Sequence, residues 1–295
     1  MHPRHCGLVL MYHRLFPDSS ADELDRLVGI SVGQFGAQMD LVTALARPVS
    51  LSEIVDQPSN KPGPVRVAVT FDDGYADIVK YALPILRDRN IPATVFLTTG
   101  FVDGSVTPWW ESLAHLVRNT CASGRSRLAR YQQLLRRCEH RPAAYIERAL
   151  RSAFGAAPGC VYSEDNRFLT WEEVARAANN GLTFENHTHS HRYIPTLSER
   201  EALHEVSHAN RLIEEHTASS SRLFAFPGGE IRDTALWFLR LLRRSGFVAA
   251  FSAGRKAGLF WRYCVPRWLH PGLMMLPRRG LLWSTSLQEF RSWCE

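Results

Sequence analysis

No stretch of this sequence is apolar for the length of a membrane span, which excludes transmembrane helices from the expected fold. None of its six cysteines falls in a Cys-x-x-Cys pair, so the usual redox and zinc-ribbon spacings are missing. A chain of 295 residues buries enough surface to need no disulfide framework. Cys6, Cys121, Cys138, Cys160, Cys264 and Cys294 are therefore expected as reduced thiols. A secretory leader is not evident either. Arg4 supplies a positive charge, but the apolar run from Gly7 to Tyr12 is short for such a leader and ends at His13 and Arg14. A cytoplasmic protein is expected, with contact to the inner face of the membrane left open. There is no internal repeat and no break in composition, which points to one domain over residues 1–295.

Acidic residues are outnumbered, 29 against 35 Lys and Arg, for a net charge of +6. That balance suits anionic partners such as nucleic acid, phospholipid headgroups, phosphorylated carriers or acidic glycans, and equally an ordinary basic surface. The apolar fraction of 45% and charged fraction of 22% are those of a globular protein rather than a disordered or fibrous one.

The patterning is that of alternating strands and helices. Leu8–Tyr12 reads as a short buried strand. Ser31 caps a helix through Phe35, Met39, Leu41 and Leu45. Val65–Phe71 is a β-branched strand ending at Asp72-Asp73-Gly74. A helical pattern follows from Ala76 to Arg89, with Pro84 expected to distort it, and then a strand over Ala93–Thr98. Strand, helix, strand in this order implies a parallel sheet. The stretch from Trp109 to Phe154 is helical and arginine-rich, and is read as an insertion spanning about 105–168. Thr170 and Glu173 form a capping box. Leu182–Glu185, Leu223–Phe226 and Phe247–Phe251 read as strands, separated by helices over Ser198–His216 and Thr234–Arg244. The fold class is α/β, a distorted (β/α) barrel.

Two segments carry the chemistry. Thr70-Phe71-Asp72-Asp73-Gly74-Tyr75 and His187-Thr188-His189-Ser190-His191 each follow a strand, at the end where parallel α/β folds bind ligands. Two histidines and a carboxylate suit a divalent ion with open positions for water and substrate. Adjacent residues on an extended segment point in opposite directions. One aspartate can therefore bind the ion while the other takes a proton from water. Alone, Asp-Asp-Gly is more often a turn, and lone histidines are common. Both segments at strand ends in one chain make the stronger case.

The run Val67–Tyr75, its continuation through Leu83-Pro84-Ile85-Leu86 and Ile91–Phe96, and Glu185–His191 resemble the polysaccharide deacetylase family, carbohydrate esterase family 4. The resemblance spans Leu8 to about Arg267 and is weakest over the arginine-rich insertion. It implies a barrel hydrolase that removes N-acetyl groups from N-acetylhexosamine in a polysaccharide, oligosaccharide or glycolipid precursor. Such a substrate can be anionic or phosphate-linked, and nucleic acid is not implied. In these terms Asp72 is the catalytic base. Asp73, His187 and His191 bind a divalent metal, usually zinc, and Thr188 supports them. The backbone N–H of Tyr75 holds the oxyanion, and His189 takes the variable position of the second motif.

Other parts of the family pattern are altered. Phe224-Ala225-Phe226-Pro227-Gly228-Gly229 stands where a third motif is expected, with Phe226 and Pro227 as one wall of the groove. The usual arginine that orients the base is not evident, and Arg222 is a weak substitute. His270 matches the usual general acid by residue type only. His13, in Leu10-Met11-Tyr12-His13-Arg14, resembles the early acid of the branch acting on poly-N-acetylglucosamine. Arg267, after Val265-Pro266, resembles a recurrent Leu-Pro-Arg of that branch, with an electrostatic or structural role. Trp109 and Trp110 suit either sugar stacking or anchoring of the inserted helices. The C-terminal Leu281, Leu282, Trp283, Leu287, Phe290 and Trp293 suit packing more than membrane contact. Two alternatives are hydrolysis of another C–N bond, in a formamide or cyclic amide, and a disabled site that only binds glycan or lipid.

Overall fold

The structure, a computed structural model, describes residues 7–19, 22–57, 63–122, 124–155, 166–229, 236–253, 267–270, 273–280, 287–288 and 291; within 267–280 only the Arg278 side chain is described. Among the described residues, seven parallel strands form a ring. They are β1 (Leu8–Tyr12), β5 (Arg66–Asp73), β6 (Ala93–Leu97), β7 (Leu182–Asn186), β8 (Leu223–Ala225), β9 (Ala249–Ala253) and β11 (Leu273–Gly280). β1 pairs with both β5 and β11, which closes the barrel. The seams are uneven. β1 meets β11 over two residue pairs, and β7 meets β8 over one, Asn186 with Phe224. The remaining strands are β2 (Arg14–Phe16), β3 (Gly29–Ser31), β4 (Arg47–Pro48) and β10 (Arg267–His270). β2 pairs with β3, β4 pairs with the start of β5, and β10 pairs antiparallel with β11.

Period-two alternation sorts the strand residues into two layers. Val9, Ala68, Phe96, Leu223, Ala225, Ala249 and Phe251 fill the interior with Leu51, Ile54 and Val55 of α2 (Leu51–Asp56). Their neighbours Leu8, Leu10, Val67, Val69, Phe71, Val95 and Leu97 face outward under the helices. On β5 the even residues point inward, which carries Thr70 and Asp72 into the mouth.

The helices start where their caps dictate. Ser31 accepts from the Gln34 N–H (3.0 Å) to begin α1 (Val32–Leu45). Thr170 with Glu173 begins α8 (Trp171–Asn179), and Ser198 with Glu201 begins α9 (Glu199–Thr217), both as capping boxes. Pro84 leaves its mark as expected. A π-helical turn, Ile78–Ala82, precedes α3 (Leu83–Asp88), because proline supplies no N–H to continue the regular ladder. After the short α4 (Thr99–Val102), the arginine-rich stretch forms three helices among the described residues. These are α5 (Trp109–Thr120), α6 (Arg125–Cys138) and α7 (Ala143–Phe154), with a core of their own around Leu113, Val117, Tyr131, Leu134 and Leu150. Arg118 joins them to the loop before β3 through Asp22 (2.8 and 3.0 Å) and Asp25 (2.7 Å). α10 (Leu236–Arg244) covers β8 and β9 through Phe238, Leu239 and Leu242. Among the described residues no helix is long and apolar enough to cross a membrane. Of the C-terminal apolar group only Leu287 lies among the described side chains, and it is exposed.

Candidate active site

All seven barrel strands run the same way, so their C-terminal ends share one mouth. Asp72 and Asp73 are the last two residues of β5, not residues beyond it. Asp72 keeps the inward direction of its strand position. Asp73 would point outward, but its φ of 71° breaks the alternation and turns the side chain back across the mouth. Positive φ is costly for a residue with a Cβ, and such strain collects at functional sites. Thr188 (φ 68°) and His191 (φ 54°) share this feature. Gly74 follows with φ 93°, where a Cβ would stand 2.4 Å from a Leu97 methyl.

Asp73 Oδ1 lies 3.6 Å from His187 Nε2 and 3.4 Å from His191 Nε2. It is buried and has no hydrogen-bond partner among the described residues. His187 Nδ1 donates to the Ala225 carbonyl (2.9 Å), since a carbonyl can only accept. That fixes its tautomer and leaves the Nε2 lone pair aimed at the mouth. Burial lowers the His187 pKa to about 4 and drives that of His191 well down, so both rings are neutral. Burial, then the charge of Asp72, pushes Asp73 well above the ordinary carboxylate range. Three acceptor atoms facing one another are favourable only with a proton or a cation among them. The nitrogen and oxygen donor set fits a divalent transition ion.

Asp72 is in a different situation. Arg278 grips it with both terminal nitrogens, one of them at 2.7 Å from Oδ2. Burial alone would raise the Asp72 pKa. The Arg278 charge and hydrogen bonds outweigh it and hold the group at about 2, so it is ionised. Two adjacent carboxylates are thus pushed in opposite directions by their surroundings.

The histidine loop is braced from behind. The Thr188 hydroxyl accepts from the His191 N–H (3.0 Å). Glu205 on α9 accepts from the N–H groups of His189 (3.0 Å) and Ser190 (2.7 Å) and from the Ser190 hydroxyl. The Asn186 amide oxygen accepts from Thr188 N–H (2.8 Å). His189 turns aside, with Nδ1 2.9 Å from the Thr99 hydroxyl. His13 follows β1 half-buried, close enough to bias Asp72, His187 and His191 electrostatically. The N–H groups of Gly74 and Ala76 are used by Asp72 O and Arg167 O, whereas the Tyr75 N–H has no acceptor among the described residues. Phe226 is buried with Phe224 and Phe238, so its ring backs the mouth rather than facing it; Pro227 beside it is buried too.

The sequence reading missed Arg278, Glu205 and Asn186. Arg222, offered as a weak substitute for the orienting arginine, pairs instead with Asp56 (3.0 Å) on the surface. Leu276-Pro277-Arg278 is a second Pro-Arg eleven residues after Arg267, but nothing in the sequence ties it to Asp72. Arg267 and His270 lie on β10, and their side chains fall outside the described residues.

A closed parallel barrel with a charged, strained cluster at its C-terminal mouth is the construction of a barrel enzyme. The model of the family described as polysaccharide deacetylase matches residues 59–247. The chain belongs to the polysaccharide deacetylase family and is a hydrolytic deacetylase by that membership. No curated protein matches the sequence. Solved structures share the fold at low identity. The Streptococcus pyogenes deacetylase PplD in complex with acetate aligns with a TM-score of 0.64 at 17% identity, over 99% of each chain. IcaB from Ammonifex degensii gives 0.61 at 20%, over 97% of this chain and 96% of that one. A de-N-acetylase from Aggregatibacter actinomycetemcomitans gives 0.62 at 16%, over 97% and 98%.

Proposed function

We propose that this protein is a metal-dependent deacetylase that removes N-acetyl groups from N-acetylhexosamine in a polysaccharide, oligosaccharide or glycolipid precursor. The observation that carries this reading is the convergence of Asp73, His187 and His191 beside an ionised, arginine-held Asp72. Asp73, His187 and His191 would hold the ion, with zinc the best match to two imidazoles and a carboxylate. When bound, a divalent ion supplies Lewis-acid polarisation of the amide carbonyl and lowers the pKa of water.

The chain's own groups do the rest. Asp72 takes the proton from the attacking water, and Arg278 keeps its carboxylate ionised and aimed. The unengaged Tyr75 N–H stabilises the negative charge that develops on the carbonyl oxygen. His13 returns a proton to the departing amine. Thr188 holds the backbone of His191. Phe226 and Pro227 back one wall of the groove, and Arg267 is a further electrostatic support. Residues 1–295 form one catalytic domain with a helical insertion at about 105–168. A cytoplasmic location, with an anionic or phosphate-linked precursor as substrate and peripheral contact to the membrane, belongs to the same proposal. Arg278 favours turnover over a disabled binding site, because it keeps Asp72 in the basic form.

The test is acetate release from N-acetylglucosamine oligomers and acetylated glycolipids, with metal content measured alongside. Asp72→Asn is expected to lose roughly 100-fold or more in turnover, as for other lost general bases, while the metal stays bound. Bound metal with no acetate from any acetylated sugar would overturn the substrate assignment.

A further inference from the structure

We propose that Trp110, in the first turn of the inserted helix α5, is a positioning residue for His191, and that Tyr75 and Glu111 hold it in place. The inference rests on the reading of His191 as a metal ligand.

The two imidazoles are supported by different means. His187 is fixed by its hydrogen bond to Ala225 O. The bond from His191 N–H to Thr188 fixes main chain, not the ring. Among the described residues, the His191 ring has a hydrogen bond only to its own backbone and is packed between two aromatic groups. Phe101 stacks on it at 6.0 Å and 26°, and Trp110 stands edge to face at 4.7 Å and 64°. Phe101 and Trp110 also meet each other, 5.7 Å apart. Ring rotation of His191 is therefore limited by the place of Trp110.

Trp110 is itself pinned by directed bonds. Its indole N–H donates to the Tyr75 hydroxyl (3.0 Å). That hydroxyl has one proton, which it gives to Glu111 Oε1 (2.8 Å). Glu111 is buried on the same helix turn, 3.8 Å from the Arg14 guanidinium, which also lies over the Tyr75 ring at 4.6 Å. Tyr75 lies two residues past Asp73. Adjacent residues of α5 thus grip the segment that carries both aspartates.

The two tryptophans divide the possible roles between them. Trp109 packs against the core of the inserted helices, as an anchor should. Trp110 packs with Tyr75, Phe101 and Phe168 at the mouth. An anchor alone would not require the indole N–H to be bonded to the loop after β5.

The experiment measures zinc affinity of the full-length protein by competition with a chromogenic chelator, and the visible spectrum of the cobalt-loaded protein. Trp110→Ala is expected to weaken zinc binding roughly 10–100-fold, the range for lost outer supports of a ligand, and to alter the cobalt spectrum. Trp110→Phe should recover most of the affinity, because a ring still bounds His191. Tyr75→Phe, which removes a single oxygen, should weaken binding several-fold. Leu134→Ala, within the core of the inserted helices, serves as the control, with a lower melting temperature and unchanged zinc affinity. Wild-type affinity in Trp110→Ala, or an equal loss in Leu134→Ala, would overturn the positioning role. If Trp110→Ala does not fold, wild-type affinity in Tyr75→Phe overturns it instead. A wild-type protein that takes up no zinc or cobalt would sink the metal-ligand reading itself, a result separable from any difference among variants.

Discussion

A buried carboxylate tends toward its neutral form, and Asp72 is only 3% exposed. Arg278 reverses that tendency at the carboxylate proposed as the base. The pair is closed to solvent, so losing one partner strands the other. Arg278→Ala is expected to destabilise the protein by roughly 3–5 kcal/mol, the range for breaking a buried ion pair. Acetate release should fall by roughly 100-fold or more as the base becomes protonated and loosely held. Arg278→Lys keeps the charge but loses the two-nitrogen grip, and should fall between the two. Denaturant melts and steady-state kinetics on the three proteins check this, and a wild-type rate in Arg278→Ala would remove the arginine from the site. Asp72 and Asp73 were legible in the sequence because the motif is local. Arg278 was not, because it stands 206 residues away from Asp72 and nothing near it in sequence marks its partner.

Six of the seven barrel strands were legible as short apolar runs, but β11, interrupted by Pro277, Arg278 and Arg279, was not, nor was the way the strands join. β7 and β8 share one backbone pair, and a side chain fills the gap. Glu185 Oε2 accepts from the N–H groups of Arg222 and Leu223 (2.8 Å each) and from the Ser221 hydroxyl (2.7 Å). Burial nonetheless raises its pKa from 4.5 to about 7, with the hydrogen bonds opposing. A carboxyl raised on folding favours the fold below its unfolded pKa, and that contribution is lost as pH rises through the folded value. The wild type should therefore lose stability between about pH 4.5 and 7 from this group, by an amount on the order of 3 kcal/mol. Glu185→Gln keeps an acceptor and cannot ionise. Its melting temperature relative to wild type should climb from pH 5 to pH 8 in a fluorescence melt, and a pH-independent difference would rule out the seam as the titrating element. The short elements β2, β3, β4 and α2 carry too few residues for a period to show, and they escaped the sequence reading for that reason.

At the scale of the whole molecule, the site draws on β5, on the loop after β7, on β11 and on the inserted helices. An ion held by Asp73, His187 and His191 would tie the ends of β5 and β7 together across the mouth. Ligand present at roughly 100 times its Kd adds about 2.7 kcal/mol to stability, which corresponds to roughly 5 °C or more for a chain of this size. Chelation should lower the melting temperature by about that much, and zinc should restore it. Asp73→Ala should melt at the same temperature with or without chelator. A chelator effect that survives in Asp73→Ala would place the stabilising ion elsewhere.

The sequence by itself determined the alternation of strands and helices, the caps that begin α1 and α8, and the two short segments that bring acids and histidines to strand ends. Each of these is written within a few residues, where backbone geometry and period-two or helical spacing act. Tertiary structure decided what no short window contains. Closing the barrel brought Arg278 to Asp72, set Glu185 across a seam, and placed Trp110 of the inserted helices against His191. Those contacts arise from strand order and packing, and the charge of a buried group depends on the neighbours that the fold assembles around it.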